Sequence, residues 1–358
     1  MRSIVLSSLI MCAMLVALSG CKPDDEGGPP ASINWAAWAP SGSRIAVTTS
    51  DSGMKANMLW VVDAVGVGKP KLLTQWLADP PGRPVWRGDG EMLAVAGGVP
   101  STTELQIVHA GKAGESVIWR KRIDGGYPQW SPDGRLVAWD NSTAGQARIG
   151  IVDVSARRVQ YVPTSTDTTS FPKWSRDGRQ ISFCNLGKTS DIPPSGLYIV
   201  NVDGTGERRV APLPGMVHAV WRDAAEIVYF LKRTKGNTSD LELWILNTKT
   251  GAATESFRAV GLPKWVSLRE LSWSKDCNRA LVVASERQGP VGDIYLIDIL
   301  QRRTRRLTND GRNAWPSWSG DESEIAFLRD TDSLWTMGAE GTRQRKVLDI
   351  AALVSAVR

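Results

Sequence analysis

Histidine is nearly missing from this chain: its 358 residues hold two, His109 and His218. A pair of histidines far apart in sequence does not build a multi-histidine metal site, and neither HExxH nor CxxC spacing occurs. A G-x-S-x-G nucleophile elbow is also missing, so no catalytic residue, metal ligand or cofactor site is assigned from motifs. Cysteine is sparse at 4 residues, and Phe and Tyr number 5 each. Charge of one sign is lacking too: a net +6 spread along the whole length is too mild and too diffuse for a nucleic-acid surface. The longest apolar run, Ile4 to Leu18, is too short for a stable membrane-spanning helix. Against these shortages stand 16 tryptophans.

The apolar run follows a single basic residue, Arg2, and ends in small residues before Cys21, the pattern of a secretory signal peptide over residues 1–20. Its tail, Leu18-Ser19-Gly20-Cys21, resembles the bacterial lipobox, which implies that Cys21 carries lipid and anchors the chain to a membrane. In a Gram-negative cell, Lys22 after that cysteine, rather than aspartate, implies the outer membrane, on its periplasmic side or at the surface. Residues 21–31 are polar and rich in Pro and Gly, as expected of a lipidated, flexible tether. Cys12 leaves with the leader. Cys184 and Cys277 fall in repeat units that are not neighbours, so no disulfide is expected; Cys184 reads as a core thiol and Cys277 as an exposed one.

The tryptophans carry the organisation. YPQWSPDGRLVAW at 127–139 returns in recognisable form seven times, centred on Trp38, Trp86, Trp130, Trp174, Trp221, Trp273 and Trp318, at separations of 48, 44, 44, 47, 52 and 45 residues. Each unit has an inner strand ending in Trp, a tight Asp-Gly turn, an alternating apolar strand such as LVAWD, a loop, a third strand such as IGIVDVS, and a polar fourth strand. A unit of this length cannot bury both faces of its own sheet. The expectation is an all-β chain, a β-propeller of seven four-stranded blades over residues 32–358. The basic run QRRTRR at 301–306 fits a solvated outer edge strand.

The W-S-P-D-G turn followed by (I/L)-A-F and then (L/I)-Y-(I/V)-(V/M)-(D/N) resembles the repeats of the TolB-like propeller family over nearly the whole chain past residue 31. It is clearest at Trp130–Gly134 and Trp174–Gly178, and degraded in the fifth unit, where Asp223-Ala224-Ala225 replaces the turn. The amino-terminal α/β domain of TolB has no counterpart here, and seven units exceed the six of its propeller.

Blade geometry puts the short, alike turns on one face and the long, dissimilar loops on the other, so ligand contacts are expected at the loop-side mouth of the central channel. Three residues before each repeat tryptophan, at that mouth, stand Trp35, Arg83, Tyr127, Phe171, His218, Glu270 and Trp315. Four aromatics with one Arg, one His and one Glu suit stacking and orienting a ligand; the same rings could instead pack between blades. The expected function is a lipid-anchored envelope module, monomeric, that binds an envelope protein or glycan and no nucleic acid. The alternative is a carbohydrate- or peptidoglycan-active enzyme working through mouth carboxylates, Glu270 with Asp191 or Asp240.

Overall fold

The computed structural model describes residues 32–357 apart from 51–56, 77–81, 98–102, 112–116, 144–145, 187–193 and 213–217. The leader and tether, with Cys21, lie outside the described residues, as does Asp191. The described chain forms seven four-stranded antiparallel sheets, each made of four consecutive strands, and is almost wholly β. This is the seven-bladed propeller that the repeat predicts.

The innermost strands are Ser32–Trp38, Val85–Trp86, Gln129–Trp130, Ser170–Trp174, Val220–Trp221, Trp265–Trp273 and Asn313–Trp318. Each pairs with only one strand of its own blade, so its other edge is free to face the channel. The repeat tryptophans explain how neighbouring blades are joined. The indole Nε1 of Trp86 donates to the carbonyl of Ala37 at 2.8 Å, Trp130 to Val85 at 3.1 Å, Trp174 to Gln129 at 3.1 Å, Trp221 to Lys173 at 3.1 Å and Trp318 to Ser272 at 3.3 Å. In every case the acceptor is the residue just before the preceding blade's tryptophan. One ring thus fills the wedge between two sheets and satisfies a carbonyl on an otherwise unpaired strand edge.

Two blades depart from this pattern. Trp38 turns its Nε1 to the carbonyl of Gly42 in its own turn, at 2.9 Å, and the buried Nε1 of Trp273 has no partner. A matched pair of substitutions follows. Trp130→Phe should lose about 1 kcal/mol beyond the packing loss, because it strands the Val85 carbonyl, whereas Trp273→Phe removes an unpaired buried donor and should be spared that term. Urea denaturation of the two variants measures the difference directly; equal losses would count against the inter-blade hydrogen bond.

The turns on the opposite face follow from the Ser-x-Asp sequence. Ser131 Oγ donates to Asp133 at 2.6 Å, Asp133 accepts the amide of Arg135 at 3.1 Å, and Gly134 supplies a φ of 70°. Ser175 with Asp177, Ser274 with Asp276 and Ser319 with Asp321 repeat the bond. Cys277 takes the glycine position at φ 58°, but it is 4% exposed, which corrects the expectation of an exposed thiol. The cause is Arg176 of blade 4, which reaches under blade 5 to the Trp221 carbonyl at 3.1 Å and the Lys275 carbonyl at 2.5 Å, covering the sulfur. Cys184 is buried, and no disulfide joins Cys184 to Cys277. Arg303–Arg306 is the outermost strand of blade 6, with Arg306 paired to Asp293 at 2.6 Å and Arg305 to Glu340.

Because every blade is a contiguous segment, no strand is exchanged across the junction of blades 7 and 1, and it is held by direct backbone and side-chain contacts between the two blades. Ile33 N–H donates to the Thr331 carbonyl at 2.8 Å, Trp38 N–H to Ser317 Oγ at 3.1 Å, and Arg345 Nη1 to the Ala64 carbonyl at 2.9 Å. Ile33, Trp38, Trp60 and Val62 of blade 1 pack with Ala326, Leu328 and Leu334 of blade 7 in one core. The repeat does not foretell the helix Ile350–Val357, whose Leu353 is buried in that same junction.

Candidate binding site at the channel mouth

The seven residues three places before the repeat tryptophans sit where the inner strands lose their regular pairing. In blade 4 the register passes from Ser170↔Cys184 to Lys173↔Ser182, and in blade 7 from Ala314↔Leu328 to Ser317↔Ala326, one extra residue each time. In blade 6 it passes from Ser267↔Val283 to Ser272↔Leu281, an excursion of three residues that contains Glu270. Bulges of this kind re-aim side chains away from the sheet. Tyr127, Phe171 and Trp315 adopt φ of 49°, 57° and 52°, each followed by proline. The left-handed region costs a bulky residue about 1–2 kcal/mol, and the same cost recurs at the same repeat position in three blades.

These backbone turns bring the aromatics together in pairs. The rings of Trp35 and Trp315 lie 3.7 Å apart across the blade 1 to blade 7 junction, inclined at 41°. Tyr127 and Phe171 lie 4.5 Å apart at 53°, and Tyr127 is 47% exposed. Trp315 also packs against the junction core, so the tryptophan pair helps close the ring whatever it binds. The segment carrying Tyr127 is tied down from below: Asp140 accepts the Gly126 amide at 2.6 Å, and burial pushes its carboxyl up to about 6.

The charged members of the set, Arg83, His218 and Glu270, converge in the channel with a residue that sequence reasoning missed, Lys173. Glu270 is 6% exposed and accepts the amide of Trp315 at 3.0 Å. Burial pushes its carboxyl up to about 7, against the opposing pull of that amide, the Ser267 hydroxyl and the Arg83 guanidinium. Arg83 comes from blade 2 and Glu270 from blade 6, so their mutual field reaches across the channel. Burial, and then the charge of Arg83, pull the Lys173 ammonium down to about 7. His218 is held well below the ordinary imidazole range by burial, Lys173 and Arg83, so it is neutral at pH 7. Its Nδ1 is buried without a hydrogen-bond partner. A signal for Lys173 did exist: the residue just before the repeat tryptophan is Ala37, Val85, Gln129, Lys173, Val220, Ser272 or Ser317, and only one of these is charged.

The two shifted groups give stability opposite slopes with pH. The folded state holds the Glu270 proton more tightly than the unfolded chain, so stability is full below about pH 4.5 and is lost towards pH 7. Lys173 is the reverse: its contribution is full above about pH 10.5 and is lost as pH falls towards 7. Glu270→Gln should therefore stabilise the protein by about 2–3 kcal/mol at pH 8 and leave it unchanged at pH 4. Denaturant titrations at the two pH values check this, and an equal gain at both would point to packing rather than ionisation.

The other candidate residues are occupied elsewhere. Asp240 is paired to Lys235 at 3.4 Å and accepts the Gly261 amide at 3.2 Å on the long hairpin of blade 5. His109 Nδ1 accepts the Gly111 amide at 3.0 Å. Among the described residues no group of three or more His, Cys, Asp or Glu is arranged to hold a metal ion.

No family model matches the chain, and no curated protein matches its sequence. Solved structures do resemble it. An oligogalacturonate lyase in complex with manganese is 14% identical with a TM-score of 0.64, the match covering 84% of this chain and 87% of that one. TolB from Acinetobacter baumannii is 17% identical with a TM-score of 0.53, over 87% of this chain and 71% of that one. An uncharacterised protein of Listeria monocytogenes is 8% identical with a TM-score of 0.59, over 88% and 94%. At such identities the likeness is one of fold: the chain is a β-propeller whose structural neighbours include TolB-like and lyase propellers.

Proposed function

We propose that this protein is a lipid-anchored envelope propeller that binds and scaffolds a protein or glycan at the loop-side mouth of its channel. The observation that carries the reading is the mouth itself: aromatics at one repeat position, three of them in the left-handed region, surround a throat of buried and partly buried charged groups. The lipobox ending at Cys21 supports the anchor and the export that goes with it.

A photo-crosslinking amino acid at position 127 tests the face. In intact cells it should give discrete adducts, whereas the same residue at position 133, on the Asp-Gly turn side, should give none; adducts from 133 alone would overturn the reading. Cys21→Ser should move the protein from the membrane fraction to the soluble fraction and abolish labelling by a palmitate analogue. Labelling that persists would remove the anchor from the proposal.

One observation favours a second reading, an enzyme acting on carbohydrate or peptidoglycan: a buried carboxyl shifted to about 7 is suited to proton transfer. Turnover of polygalacturonate or peptidoglycan that Glu270→Gln abolishes would establish it.

A further inference from the structure

We propose that the throat of the channel is a carboxylate-binding site, in which Arg83 and Lys173 hold a ligand's carboxylate beside His218 while the mouth aromatics cover the ligand's apolar body. The inference rests on the reading of the mouth as the binding face and names the chemistry that face accepts.

Three observations lead to it. First, nitrogen-bearing side chains from three blades meet at one place: Arg83 of blade 2, Lys173 of blade 4 and His218 of blade 5 are close enough for the two cations to act on each other and on the imidazole. Second, the Arg83 and Lys173 side chains are partly buried, and Arg83 also feels the charge of Glu270 across the channel. His218 Nδ1 is buried without a hydrogen-bond partner. Donors and acceptors withdrawn from bulk water are ordinarily paired, so a buried, unpartnered imidazole nitrogen beside two cations marks a place for a ligand. Third, the Glu270 carboxylate, whose charge acts on Arg83, is already committed to the Trp315 amide and the Ser267 hydroxyl.

The charge count selects the ligand. Arg83 and Lys173 against Glu270 leave an excess of one positive charge, which matches a monoanion and not a dianion that Glu270 would repel. A guanidinium presents paired N–H groups in one plane, the geometry a carboxylate takes. Among the described residues the other walls are mainly aromatic and neutral polar: blade 3 offers Tyr127 and Gln129, with the Asp140 carboxyl beneath bonded to the Gly126 amide, and blades 7 and 1 offer Trp315 and Trp35.

Calorimetry on the full-length, detergent-solubilised lipoprotein tests the proposal with acid and neutral probes of the same shape. The pairs are N-acetylglycine against N-acetylglycinamide for a peptide end, and glucuronate against its methyl ester for an acidic sugar. In at least one pair the acid should bind tenfold or more tightly than its neutral partner, and the pair that does so identifies the source of the carboxylate. Arg83→Gln should lower acid affinity at least tenfold, and Arg83→Lys should recover part of it. Affinity should rise as pH falls from 8 to 6, because Lys173 gains its proton and Glu270 loses its charge, and Lys173→Met should flatten most of that rise.

Binding of neutral and acid partners with equal affinity, unaltered by Arg83→Gln, would overturn the carboxylate site while leaving the mouth as a binding face. Preference for inorganic phosphate, or no binding of any acid, would overturn it as well. In the last case crosslinking at position 127 shows whether the mouth binds at all.

Discussion

Changing Trp35 and Trp315 together to alanine is expected to lower stability by about 4–6 kcal/mol, a large part of what a domain possesses. A purely solvent-facing rim would lose little on truncation, and a fully buried pair would lose about 3–5 kcal/mol per ring. The structure places the pair between these limits. Both rings are partly buried, they touch at 3.7 Å, and Trp315 packs against the core that joins the last blade to the first. Because they touch, the two single losses should not add, and a double-mutant cycle in urea should show a coupling of about 1 kcal/mol. Tyr127→Ala, at a matching position but 47% exposed, is the contrast and should cost under about 1 kcal/mol. A melting curve unchanged by the double substitution would show that the ring is held shut without these residues.

The second large effect lies at the other end of the same junction. Gly320, in the turn of blade 7, lies so close to blade 1 that an added Cβ would fall 1.8 Å from the carbonyl oxygen of Pro40. Backbone, not a flexible side chain, would have to move. Gly320→Val should therefore cost about 3 kcal/mol or more and open the junction. Gly42, at the corresponding turn of blade 1, has nothing within 4 Å of the same added atom. Its φ of 79° still penalises a side chain, so Gly42→Ala should cost only about 1 kcal/mol. Thermal melting of the two variants, with limited proteolysis to find the first cut, checks both the size and the place. If the two proved equally mild, the turn of blade 7 would have room to shift.

Much of this was readable one residue at a time. Trp130, Ser131, Asp133 and Gly134 each have a local job: wedge, turn bridge, turn cap and left-handed corner. Local jobs leave fixed residue types at fixed spacings. The seven mouth positions were legible for the same reason, since they stand at one offset from a landmark. What they do in common was not. Lys173 sits two places beyond Phe171 in an unremarked position of the repeat, and its character comes from Arg83 and His218, which belong to other blades. Cys277 looks exposed from its turn position and is buried because Arg176, two blades earlier, reaches across to it.

The sequence by itself determined the number of blades, the order of the strands and the offset that defines the mouth, because these depend on alternation and turn chemistry acting over a few residues. Tertiary structure alone decided how the ring closes and which charges meet in the channel. Closure is made by a backbone hydrogen bond and side chains of the first and last blades and by a helix outside the repeat, and nothing periodic specifies them. The ionisation of Glu270 and Lys173 is set by burial and by fields crossing the channel between blades 2, 4 and 6. Those fields depend on distances through space, which the linear order of residues does not contain.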